Sequence, residues 1–432
     1  MATQIVQPGG SIQTAVDYAK EGDLILVHDG VYLEQVVIRT NYIRIVATGH
    51  QVVMKGEYDV LHPLLPHAFL LDNVKGVEIK GFQILCYSND GIHVRLGAFN
   101  RIIANKISRC GNSAINFAGS DGNLAYQNEV RYNGMAGIEV SQNGSSNRII
   151  ENTSQQNDWN GITIYEEAQN NTVACNTVDC NEEYGVAAHA PDTFIYGNKI
   201  KSNGLDGIRI SHKSANSMVI GNHVSDNKEN GIELEPNSGG ALLDSYNTIV
   251  QSNVSSENLC AGIQVSSPLN ILESNCVYSN KKDGIAINGK FGNRNILVFN
   301  DLKHNVSYDL HNSGVSNQFY GNHCESSEPP HLCSNKEHCP SPHQPNACET
   351  KKKEHPSPCS KGDHKKPHCT CSSCTSSHHK TPHHSNDWNK KCCSSSCTCD
   401  GRKKDKCCHN KHKKEQNWNI HSHYGQWPQN ER

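Results

Sequence analysis

The chain has 432 residues, 35% of them hydrophobic, and 40 Lys and Arg stand against 43 Asp and Glu for a formal net charge of -3. A balance this near neutral gives no general reason to expect nucleic-acid binding, and no apolar run approaches the length of a membrane-spanning helix. The first eight residues lack the basic and long apolar stretches of a secretory leader, so synthesis in the cytoplasm is expected.

At the N-terminus, Ser11 is placed to cap a short helix whose apolar residues Ile12, Ala15, Val16 and Ala19 share one face. Within a cap spanning residues 1–22, that helix protects the open end of whatever follows. Glu21 to Val27 reads as the first strand, with Asp29-Gly30-Val31-Tyr32 as its turn. Further strands are expected at 36–38, 43–46, 52–54, 69–71, 77–79 and 82–85.

From there a Gly-Ile step recurs. Its anchors are Ile92, Ile115, Ile138, Ile162, Val186, Ile208, Ile232, Ile263, Ile285 and Leu310, spaced 22 to 25 residues apart with one interval of 31. Self-similarity at this period means stacked repeats. Apolar-polar-apolar alternation after each anchor, as in Ile92-His93-Val94 and Ile208-Arg209-Ile210, is a short strand with one buried face. The preceding glycine, often itself preceded by Asp or Asn (Asp90, Asn160, Asp206, Asn230, Asp283), is expected to supply a tight turn.

Asparagines recur in two columns, one running from Asn105 to Asn322 and a second from Asn133 to Asn305, with Cys110 in the first place of the second column. Asn tolerates left-handed turns, and amides stacked one coil apart bond along the column. These asparagines are therefore assigned to the scaffold. A leucine-rich repeat also carries an Asn column but requires Leu-x-x-Leu-x-Leu spacing, which is not the pattern here. Three short strands per repeat predict an all-β chain, a right-handed parallel β-helix of about a dozen coils over residues 23–323. Its length is on the order of 55–60 Å.

Gly-Ile-x-Val followed by Asn-x-Ile, together with the capping helix and the Gly-Asp and Gly-x-Tyr opening, resembles the parallel β-helix repeats of the pectin-lyase-like superfamily. The pattern is most similar to NosD-type β-helix proteins and bacterial alginate-epimerase-like domains. The resemblance covers residues 5–323 and implies the fold; chemistry stays open, because this fold hosts many activities.

Outward neighbours of the anchors form a ladder: His93, Asn116, Glu139, Thr163, Ala187, Arg209, Glu233 and Gln264. The candidate catalytic residues are Glu139, His189 and Arg209. Candidate substrate contacts are Tyr165, Glu166, Glu167, Asp192, His212, Glu233, Glu235 and Asp244, the last in a loop at Pro236–Ser245 inside the long interval. This mixture suits sugar binding, uronates included, and proton abstraction. Alternating charges on adjacent strands also stabilise a sheet with no ligand at all. The epimerase-like Asp-Pro-His-Asp order is absent, and His189-Ala190-Pro191-Asp192 has its residue types in another order. No cofactor is expected of the β-helix itself.

Apolar periodicity ends near His323. Residues 324–432 hold 18 Lys and Arg against 11 Asp and Glu, so they carry +7 and the preceding chain -10. They also hold 14 of the 20 cysteines and 14 of the 25 histidines. A tail of this composition cannot bury a core and is expected to be disordered unless cross-linked or metallated. Cys369, Cys371, Cys374, Cys392, Cys393, Cys397, Cys399, Cys407, Cys408 and His409 have spacings that suit zinc or Cu(I). The same thiols can instead cross-link copies of the chain. In composition the tail is similar to spore-coat proteins. Within the rod, Cys86 and Cys110 are expected to stack, and Cys175, Cys180, Cys260 and Cys276 to be isolated thiols.

The functional expectation is a structural or glycan-binding component of an outer cell or spore layer, anchored by its tail. Its partners would be polysaccharide or surface proteins. The alternative is a lyase, epimerase or hydrolase acting on an acidic polysaccharide, and whether the chain is an enzyme stays open.

Overall fold

In the computed structural model, residues 1–56, 65–236 and 246–334 are described, together with two short strands, Cys369–Thr370 and Thr398–Cys399. The chain winds as a parallel β-helix with three sheets. Sheet A has 14 strands from Thr3–Val6 to Gln318–Tyr320, and sheet B has 13 from Gly30–Tyr32 to His323–Cys324. Sheet C has 13 from Val36–Ile38 to Ser327–Glu328. Every pairing within these three sheets joins consecutive coils in parallel, as Ile92 with Ile115 and Ile115 with Ile138. All ten anchors lie in sheet C with no solvent exposure. They form one wall of a continuous apolar core of Ile, Val and Leu.

The helix forms at Ile12–Tyr18, capped by the Ser11 hydroxyl accepting from the Thr14 N–H at 3.1 Å. Glu34 from the coil beneath accepts from the Ile12 and Gln13 N–H groups at 2.7 and 3.1 Å. Helix donors without intrahelical partners are thereby satisfied. A strand at Thr3–Val6 precedes the helix and pairs with Leu24–Val27, so the first strand of sheet A lies inside the segment assigned to the cap. At the other end the ladder runs past His323: Ser327–Glu328 pairs with Leu310–His311, and a Cys324–Cys333 disulfide follows.

The Asn columns stack as expected, but for a different reason at the backbone. Left-handed φ belongs to the residue before each ladder Asn: Ala104, Gln127, Glu151 and Cys175 before one column, Tyr132, Gln156, Cys180 and Ser202 before the other. Asn itself is the bonding element. Asn198 accepts from the N–H and Nδ2 of Asn176 at 2.9 and 3.0 Å and donates to Asn222 Oδ1 at 2.9 Å. A third column, including Asn100, Asn123, Asn147 and Asn171, escapes the repeat pattern because Thr193, Ser217 and Thr248 interrupt it.

The glycines before the anchors do not have left-handed φ either. At Gly161 a Cβ would lie 2.2 Å from Val178 Cγ1 and 2.6 Å from the Gly185 carbonyl oxygen. Close approach of coils, not turn conformation, demands glycine there.

Cys110 aligns with Tyr87 and not with Cys86, because Ser108 pairs with Leu85. Cys175 and Cys180 are disulfide-bonded, contrary to the isolated thiols expected. Cys110 is buried, and Cys86, Cys260 and Cys276 are partly exposed. No helix among the described residues is long and apolar enough to cross a membrane.

Candidate functional site

Sheet C presents its outward ladder in the expected register, from His93 through Asn116, Glu139, Thr163, Ala187 and Arg209 to Glu233 and Gln264. Its middle is covered: Glu139 is 8% exposed, and Thr163 and Ala187 have no exposure. The cause lies partly in a column of Asp and Asn just before the glycines, which sequence reasoning took for turn residues. Each holds the next coil with one side-chain oxygen. Asp90 accepts from the Ser113 N–H at 3.1 Å, Asn160 from Tyr184 at 3.0 Å, Asp206 from Asn230 at 2.8 Å and Asn230 from Ala261 at 3.0 Å. The rest of each side chain meets the outward residue three positions on: His93, Thr163, Arg209 and Glu233.

Two clusters result. Around Glu139, Ser113 Oγ donates to Oε2 at 2.7 Å and Asn116 Nδ2 to Oε1 at 3.3 Å, while Ser141 Oγ donates to Asn116 Oδ1 at 3.0 Å. Burial pushes the Glu139 carboxyl up to about 7; the Ser113 hydrogen bond opposes this and the charge of Asp90 adds to it. Asp90 in turn sits 2.7 Å from His93 Nδ1, with the His67 ring 4.9 Å from that of His93. Burial keeps the His67 imidazole below its ordinary value.

The second cluster is centred on Arg209, which donates to Tyr184 OH at 2.8 Å and to Glu235, and lies 3.5 Å from Asp206 and 3.8 Å from Glu233. Its guanidinium also stands 4.8 Å from the Tyr184 ring centre. Burial works against the Arg209 charge, but Tyr184, Glu235, Glu233 and Asp206 outweigh it and hold the charge more firmly than usual. Asp206, fully buried, is pushed up to about 8 by burial and then by the charge of Glu233. His189 accepts from or donates to Ser211 Oγ at 2.7 Å and packs edge-on to His212 at 4.8 Å. Burial, then His212 and Arg209, push its imidazole down to about 3, so the ring is neutral.

Glu139, His189 and Arg209 are therefore not one catalytic centre. Glu139 and Arg209 stand three coils apart, about 14 Å at the strand spacing. Glu166 lies 3.9 Å from His212 and 3.6 Å from Lys213, and Glu167 3.8 Å from Lys213, on the rim of the second cluster. Tyr165 faces Trp159, their ring centres 6.1 Å apart, at the two ends of strand Ile162–Ile164. Asp192 leaves the group. It is an exposed left-handed corner residue preceding the third column, and its side chain makes no contact with the clusters among the described residues. Asp244 lies outside the described residues.

Sequence reasoning missed His67, Asp90, Ser113, Trp159, Tyr184 and Asp206 as members of this face. Asp-Gly was legible, but only as a turn. The 31-residue interval is also not the sole long one. Val36 pairs with Phe69, a separation of 33. In the tail, Cys369 and Cys399 are opposite each other in an antiparallel pair. Cys371, Cys374, Cys392, Cys393, Cys397, Cys407, Cys408 and His409 lie outside the described residues.

Comparison with solved structures finds parallel β-helices of similar shape. The periplasmic alginate epimerase AlgG is 14% identical, with a TM-score of 0.51 over 74% of this chain and 77% of that one. The A-module of the mannuronan C-5 epimerase AlgE6 of Azotobacter vinelandii is 16% identical, with a TM-score of 0.53 over 71% and 94%. The Dettilon tailspike protein is 15% identical, with a TM-score of 0.56 over 73% and 68%. At these identities the likeness is one of fold. No curated protein matches at a significant level. The family model described as the right handed beta helix region matches residues 67–195 and 188–324, the stretch that builds all but the first coils described above. The chain belongs to the right-handed β-helix family.

Proposed function

We propose that the outward face of sheet C binds a glycan of neutral or amino sugars, laid across the strands. The observation that carries this is the saturation of Arg209. Its donors already meet Tyr184, Glu235, Asp206 and Glu233, which leaves it poorly placed to take a uronate carboxylate. The surrounding strip also carries the carboxyl groups of Asp90, Glu233 and Glu235, which work against a polyanion. Trp159 and Tyr165 offer ring faces of the kind on which sugars stack, beside preformed polar groups. The alginate epimerases among its structural neighbours support glycan contact in general, without naming a sugar.

The test is binding of the purified chain to soluble polysaccharides, with chitosan oligomers, a neutral glucan and alginate as arms. Binding of the first or second, lost at least tenfold in Trp159→Ala, supports the proposal. Retention of alginate alone, or turnover of it, would overturn the charge argument in favour of an enzyme on an acidic glycan.

The tail's composition supports placing this rod in an outer cell or spore layer, fixed by thiol cross-links or shared metal through residues 324–432. Native material that enters a gel as monomer without reductant, and that fractionates away from every insoluble layer, would remove that part.

A further inference from the structure

We propose that His67, Asp90 and His93 form a binding site for one divalent transition-metal ion of the zinc or cobalt type on the N-terminal part of sheet C. Two imidazoles and one carboxylate are a donor set that such ions accept. One ligand atom from each residue lies within 4.8 Å of the others. His93 Nδ1 is 2.7 Å from Asp90 Oδ2, and His67 Nδ1 is 3.9 Å from that same oxygen. Bond lengths near 2 Å to one ion require ligand atoms ~3–3.5 Å apart, so shifts of about an ångström complete the set.

The site is built rather than accidental. The second oxygen of Asp90 is held by the Ser113 N–H at 3.1 Å. Outer contacts of this kind orient metal ligands. The three side chains are only 14%, 6% and 17% exposed, so they are shielded yet reachable. Elsewhere in the column, the residue three positions on from the corresponding Asp or Asn is Thr163, Arg209 or Glu233, none of them a histidine. At Asp283 one histidine, His311, comes within 3.4 Å. Two histidines converge only at Asp90 among the described residues. The carboxylate supplies a negative charge complementary to a dication. This inference is independent of the glycan reading and departs from the expectation that the β-helix carries no cofactor.

The test uses the full chain with its thiols alkylated, so that tail thiolates contribute nothing. Tail histidines are common to all variants. Cobalt(II) is titrated into wild type, Asp90→Asn, which keeps an oxygen to accept from Ser113, and His67→Phe. The expected result is one equivalent fewer in each variant, with loss of a d–d absorption band present in wild type. The same variants lose the rise in thermal midpoint that wild type shows with zinc(II). Should Asp90→Asn fail to fold, His67→Phe decides, since a phenyl ring replaces the imidazole beside His93 with a group of similar size. Equal cobalt content and equal spectra in wild type and His67→Phe would overturn the site.

Discussion

Truncating one ladder asparagine tests whether these columns carry the stability of the rod. Asn198 is 1% exposed. It accepts from Asn176 N–H and Nδ2 at 2.9 and 3.0 Å, and it donates Nδ2–H to Val173 O and Asn222 Oδ1 at 2.8 and 2.9 Å. Asn198→Ala strands two buried donors on Asn176 and removes a partner from Val173 O. At about 1–3 kcal/mol for each of the two stranded donors, the loss is roughly 2–6 kcal/mol. Because each coil touches only its neighbours, opening should concentrate between Asn176 and Asn222. The assay is urea unfolding followed by circular dichroism, with amide hydrogen exchange to locate the opening. An exposed left-handed corner, Asn170→Gly, is the control and should change stability by less than about 0.5 kcal/mol. A loss below about 1 kcal/mol in Asn198→Ala, with the Asn176 amide still protected, would refute the ladder argument.

Gly161→Ala places a methyl 2.6 Å from the Gly185 carbonyl oxygen and 2.2 Å from Val178, so a loss of about 2–3 kcal/mol in the same unfolding assay is expected. Asp206 is raised to about 8 from 3.8, so the fold holds a proton that the unfolded chain releases. Its contribution to stability is full below about pH 4 and is lost as pH rises to about 8; Asp206→Asn, which still accepts from Asn230, should flatten the thermal midpoint across that window. An unchanged slope would count against the assignment. His189 runs the other way: lowered to about 3 from 6.5, it favours folding at neutral pH and that share is lost as pH falls from 6.5 toward 3. Since the ring retains partial exposure, His189→Gln should recover only about 1 kcal/mol of the acid-induced loss. Arg209→Met strands Asp206, Glu233 and Glu235 and should cost about 3–5 kcal/mol at pH 8, less at pH 5 where Asp206, raised to about 8, holds its proton. Equal losses at both pH values would show that packing, not charge, is what Arg209 supplies.

How much of this was legible beforehand differs by feature. The anchors, the outward register and two Asn columns were readable because alternation and period are properties of neighbours in sequence. The glycines were seen but their reason was not, since what excludes a Cβ at Gly161 is Val178 and the Gly185 carbonyl of the next coil. Asp90 and Asp206 looked like turn residues because Asp-Gly is a turn signal; their work on the next coil and on His93 or Arg209 exists only once coils stack. Glu139, His189 and Arg209 were placed on one face correctly but pooled into one centre, because a linear pattern counts coils and does not measure them.

The sequence by itself determined the architecture, the strand register and the identity of the scaffold residues, because each coil repeats the same local demands and stacking needs no further information. Tertiary structure alone decided what the face can do. It split the charged residues into two clusters, sent Asp192 to a corner, saturated Arg209 with carboxylates and brought His67 to Asp90 and His93. Those outcomes depend on side chains separated by one or more full coils, and on burial that shifts their protons.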